Sequence, residues 1–98
     1  MHIWQAFKFN LEVEQNDAFW ASIRSAGAEW ETFLHSLKTQ GFSVLIGDST
    51  IGSIPTNIIL GVSAENYVCW RTIKEVFYEF TNKHHLPFRS GSSYREAL

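Results

Sequence analysis

Residues 3–13 read IWQAFKFNLEV. Ile3, Gln5, Phe7, Phe9, Leu11 and Val13 take one side of an extended chain, and Trp4, Ala6, Lys8, Asn10 and Glu12 take the other. Successive side chains of a strand point to opposite faces, so this alternation predicts a strand whose odd face is buried. Such a face needs a covering layer, and the next segment supplies one. Asn16 or Asp17 offers a side-chain oxygen to the first free amides of a helix, after which Phe19, Trp20, Ile23, Trp30, Phe33, Leu34 and Leu37 recur at helical spacing. We read a long amphipathic helix that Gly27 interrupts. Gly41 suits the left-handed position after its last turn, with Phe42 folding back onto Leu37 as in a Schellman cap.

Phe42 to Gly47 reads as a second strand and Thr56 to Val62 as a third, rich in β-branched and aliphatic residues; DSTIGSIP between them is turn-forming. SAENYVCW, residues 63–70, has two readings: a strand over Tyr67 to Trp70, or a helix lead-in capped by Ser63. Thr72 and Glu75 then have capping-box spacing, and Ile73, Val76, Phe77 and Phe80 form one apolar face, which predicts a helix from about Trp70 to His84. LPFR suits a short edge strand, where Pro87 has no ladder donor to lose. Residues 90–98 read as a loose or packing tail.

The order strand, helix, strand, strand, helix, strand predicts one α+β domain over residues 1–98. We expect a ferredoxin-like βαββαβ layout, with two helices on one face of a mixed sheet. A βαβββα layout, with Tyr67 to Trp70 as a fourth strand, is the alternative.

The 98 residues suit a single domain, and eight Phe, four Trp and three Tyr fill a small core with large rings. A net charge of −2 provides no broad positive field for a phosphate backbone or an anionic membrane. Nucleic acid is therefore a poor partner. A single cysteine, Cys69, rules out an internal disulfide and a Cys-x-x-Cys zinc site. With no basic apolar leader and no long apolar run, the expected location is cytoplasmic.

Adjacent His84 and His85 point about 100° apart on a helix, so they do not chelate one metal as an i, i+4 pair would. Lys83, His84 and His85 instead suit a helix C-terminus, where positive charge meets the dipole. His2 and His35 reach a common metal only through tertiary proximity, and no metal or cofactor is assigned. Arg89, Ser90, Gly91 and Ser92 read either as an anion-binding nest or, more simply, as a polar chain exit. GDSTIGS, residues 47–53, has phosphate-loop glycine spacing but lacks the lysine and the following helix. Gly47, Asp48 and Ser49 also follow the order of an ester-hydrolase nucleophile block, yet no aspartate precedes a C-terminal histidine at the required interval. Arg71, Glu75, Glu79 and Lys83 form a solvated charge ladder, and Glu12 and Glu14 lack anything to desolvate them.

The reverse side of the sheet stands out. If the odd residues of the first strand face the helices, the same phase turns Phe42, Val44, Ile46, Ile58, Leu60 and Val62 inward. Trp4, Lys8, Leu45 and Ile59 then share the uncovered face with alanine and glycine, an unusually apolar outer surface. The C-terminal tail, with Phe88 and Tyr94, is one cover for it; a second copy of the chain is the other. From this we expect a non-catalytic binding or interaction protein, homodimeric through the apolar sheet face, of the inhibitor or immunity-type accessory kind. The alternative is a small dimeric α+β-barrel enzyme or small-molecule-binding protein. Its aromatic cavity would be lined by Trp20, Trp30, Phe33 or Trp70, with His35 or His84 moving a proton.

Overall fold

The computed structural model describes the backbone of residues 3–63 and 70–97, and the side chains of residues 5–62 and 72–90. Strand β1 (Ile3–Leu11) leads to helix α1 (Asp17–Thr39), β2 (Ser43–Ile46), the short β3 (Thr50–Ile51) and β4 (Ile54–Pro55), β5 (Asn57–Ser63), helix α2 (Trp70–Lys83) and β6 (Phe88–Ala97). Four strands form one sheet in the order β2-β5-β1-β6, and β3 pairs with β4 in a separate two-stranded sheet. Every pairing is antiparallel, so the expected mixed sheet is corrected. The result is a small α+β protein and not a barrel.

The odd-inward phase of β1 holds. Phe7, Phe9 and Leu11 join Ile58, Leu60 and Val62 of β5, with Phe19, Ile23, Ala26, Trp30, Leu34 and Leu37 of α1 and Ile73 and Phe77 of α2, in one buried cluster. Both helices therefore bury their apolar stripes against the same side of the sheet. Among the described residues, two depart clearly from the inward set. Val13 lies beyond the end of β1 and is exposed, and Ile46 is 46% exposed because it ends the outermost strand, which has no neighbour beyond it.

Helix α1 starts where the sequence places it: the Asn16 side chain accepts a 2.7 Å hydrogen bond from the Phe19 amide. It does not break at Gly27. The turn of the β3–β4 hairpin lies so close that a Cβ at Gly27 would come within 2.9 Å of Ser53 Oγ, and one at Gly52 within 3.0 Å of Ile23 Cγ2. The glycine of α1 thus serves close approach of the hairpin, and the sequence expected only a turn there. Gly52, at φ 61°, is the position where the two-residue hairpin turn needs positive φ.

Both helices end in Schellman caps. In α1 the Phe42 amide reaches Leu37 O (3.1 Å), the Gly41 amide reaches Lys38 O (3.1 Å), and Gly41 takes φ 99°. In α2 the Leu86 amide reaches Thr81 O (2.8 Å) and the His85 amide reaches Asn82 O (3.2 Å). Here His85 holds the left-handed position at φ 57°, which a Cβ disfavours. Replacing His85 with glycine is expected to stabilise the protein by roughly 0.5–1 kcal/mol in urea denaturation, with the far-ultraviolet circular dichroism unchanged. A loss of stability would mean that the imidazole itself holds the helix end.

Helix α2 begins at Trp70, so Thr72 lies inside the helix and the capping box expected from Thr72 and Glu75 does not mark its start. The alternative strand over Tyr67 to Trp70 fails at Trp70, which is helical, and its residues 67–69 lie outside the described residues. Residues 90–97 are not a loose exit, since β6 pairs with β1 from Leu11↔Phe88 to Ile3↔Ala97. The register shifts where Phe7↔Ser93 and Phe9↔Ser90 leave one extra residue on β6, at Gly91 and Ser92. Gly91 therefore belongs to a strand at a register shift, and no longer to a chain exit.

Candidate functional site

The outer sheet face is organised by register. Lys8 pairs with Ile59 and Ile59 with Leu45, so the three stand in one row across β1, β5 and β2. Leu45 is 63% exposed, while Ile59 and Lys8 are partly covered. Trp4 occupies the β1 position paired with Ser63 and Glu96; its side chain lies outside the described residues. The tail does not cover this face with Phe88. That ring is buried on the helix side, edge-on to Phe77 at 5.1 Å, because Phe88 shares the register of Leu11. Tyr94 is the register partner of Ala6, and its side chain also lies outside the described residues.

The expected aromatic cavity does not form from its described candidates. Trp20 is 42% exposed on α1, whereas Trp30 is buried in the core against Phe33 and Phe80. Phe33 stacks on Phe80 at 4.1 Å and lines an open groove of about 280 Å³ between the helices. His35 is exposed on α1, and its carbonyl accepts the Thr39 hydroxyl. Trp30 and Phe33 thus share the Phe80 contact in the core, whereas Trp20 and His35 are exposed on α1. The Trp70 side chain is outside the described residues, as are His2 and Cys69.

His84 is different. It follows the last residue of α2 and is only 5% exposed, so its ring cannot rely on water. Its Nδ1 lies 2.8 Å from Ser25 Oγ on α1. Its Nε2 lies 2.8 Å from Glu29 Oε2, close enough for an ion pair but out of line for a hydrogen bond along the ring N–H. Lys83 Nζ approaches the other oxygen of the same carboxylate at 3.3 Å. Phe80 packs on the imidazole at 4.7 Å between centroids. Ser25 and Glu29 sit one turn apart on one face of α1, which is why a single imidazole meets both.

The ring borders an open groove of about 390 Å³ lined by Ala18, Ala21, Ser22, Ser25, Lys83, His84 and His85. The sequence singled out His84 but not Ser25 or Glu29. Their i, i+4 spacing was visible; the 59-residue separation between Ser25 and His84 concealed the contact. Helix-end placement of His84 is confirmed, yet its nitrogens face another helix and not the orphan carbonyls of its own.

Other candidates are paired or dispersed. Arg89 Nε meets Glu12 Oε2 at 2.6 Å in an exposed ion pair, which explains both residues without catalysis or anion binding. Among the described residues no three His, Cys, Asp or Glu side chains gather as a metal site, and no helix is long and apolar enough to cross a membrane. Compared with known proteins, the chain matches no family model, no curated protein and no solved structure.

Proposed function

We propose that the chain is an interaction protein that forms a two-fold homodimer through the outer face of its sheet, of the cytoplasmic inhibitor or immunity-type accessory class. The observation that carries this reading is the exposure of Leu45, 63%, in the same cross-strand row as Ile59 and Lys8. A row with two aliphatic side chains out of three on the uncovered side loses free energy to water, and sheet faces with that composition are stabilised by packing on another apolar layer. Two copies related by a two-fold axis present the same row to each other. The net charge of −2 opposes that approach only weakly.

In this reading the strand order β2-β5-β1-β6 is a ferredoxin-like βαββαβ sheet, with the β3–β4 hairpin as an insertion before its third strand. The insertion lies against α1, on the helical side. Light scattering of the wild type and of Leu45→Asp tests the assembly. We expect a dimer for the wild type and a monomer for the variant, with matching circular dichroism. A monomeric wild type, or a variant that keeps the dimer mass, would refute the sheet-face interface; Trp4→Asp, at the β1 position paired with Ser63 and Glu96, gives a second probe.

A further inference from the structure

We propose that Ser25, His84 and Glu29 form an acyl-transfer site in the groove between α1 and the end of α2, taking small esters as substrates. This goes beyond sheet-face association and does not depend on it. Catalysis by serine needs an accessible hydroxyl, a base within hydrogen-bond reach, and a group that orients the base. Ser25 is exposed and 2.8 Å from His84 Nδ1; the ring is buried, and Glu29 Oε2 stands 2.8 Å from its other nitrogen as a neighbouring charge and not as a hydrogen-bond acceptor. A carboxylate beside Nε2 favours the tautomer with the proton there, which leaves the Nδ1 lone pair for the Ser25 hydroxyl proton. The ring nitrogens exchange roles relative to the serine-protease arrangement, and Glu29 acts on the ring through its charge, where that arrangement has a hydrogen bond.

The groove adds what these three residues lack. Ala18 and Ala21 leave space on the same side of α1 for a short acyl chain, and Ser22 is already bonded to Ala18 O at 3.1 Å. Lys83, whose Nζ is held on Glu29 Oε1 at 3.3 Å, and His85 line the same groove and are its candidate donors for an oxygen that gains negative charge. In the reaction, Ser25 Oγ adds to the ester carbonyl carbon as its proton passes to Nδ1. The carbon–oxygen bond to the leaving alkoxide then breaks, and the alkoxide takes that proton. Water, deprotonated at Nδ1, adds to the acyl-serine; the bond to Oγ breaks, Oγ recovers the proton, and a carboxylic acid leaves. His84 and Ser25 are the catalytic residues, and Glu29 is a positioning residue.

A fluorophosphonate probe with adduct mapping by mass spectrometry, followed by hydrolysis of p-nitrophenyl acetate, tests the site in the full chain. We expect one adduct, on Ser25, with labelling and hydrolysis lost in Ser25→Ala and slowed about a hundredfold in His84→Gln. Ser36→Ala is the control and should react as the wild type does. Because His84 is buried, its variant can fail to fold; Glu29→Gln, at an exposed position, then carries the test through slower labelling at an unchanged melting temperature. Absence of an adduct, an adduct elsewhere, or wild-type labelling in Glu29→Gln together with any folded His84→Gln overturns the proposal. Solution mass reads the sheet-face interface and covalent labelling reads this site, so the two fail separately.

Discussion

Replacing Phe77 with alanine is expected to remove about 3–5 kcal/mol of folding stability, the range for deleting a fully buried ring. Phe77 is 0% exposed. Its ring stacks on Phe9 of β1 at 4.1 Å, meets Phe88 of β6 edge-on at 5.1 Å, and lies 6.1 Å from Phe33 of α1. One side chain thus ties α2 to two strands and the other helix, and a cavity at that point removes contacts from all of them at once. Domains of this size have about 5–15 kcal/mol in total, so the loss is a large fraction of the whole. Urea denaturation followed by circular dichroism measures it. Phe80→Ala should cost less, since Phe80 is only partly buried against the core. A Phe77→Ala loss below about 1 kcal/mol would mean that the core closes over the gap, contrary to the packing described.

Thr81→Val is expected to act in the opposite direction, raising stability by roughly 1–3 kcal/mol. Thr81 is 0% exposed, and its Oγ1 has no hydrogen-bond partner among the described residues. A buried hydroxyl in that position keeps the cost of leaving water without a compensating bond. Valine has nearly the same shape and the same β-branching, so the helix and the packing are retained while the unpaired oxygen is removed. The backbone carbonyl of residue 81, which receives the Leu86 amide, is unaffected. Thermal and urea unfolding read the change; a destabilised variant would show that the hydroxyl is satisfied and that its retention is structural. If the variant is more stable and the labelling rate at Ser25 is also unchanged, the unpaired hydroxyl serves neither fold nor site.

The proposed sheet-face assembly and the Ser25 site occupy opposite sides of the molecule. The sheet separates Leu45 from the groove beside His84, because the helices cover only the inward side. A dimer built on the outer face would therefore leave the groove open to solvent.

The sequence by itself determined the parts of this protein that depend on neighbours along the chain. The period-two pattern of Phe7, Phe9 and Leu11 fixed which face of β1 is buried, and Asn16, Gly41 and Phe42 fixed the two ends of α1, because amides and carbonyls at a helix end are satisfied within a few residues. Tertiary structure decided the rest. Whether DSTIGSIP is only a turn or a hairpin, why Gly27 lacks a side chain, and why Ile46 is exposed all depend on what approaches from elsewhere. Residues 90–97 became a strand because β1 offered an unpaired edge. Ser25 and His84 met only because two helices pack on one sheet face, and a contact between residues so distant in the chain leaves no periodicity for the sequence to display.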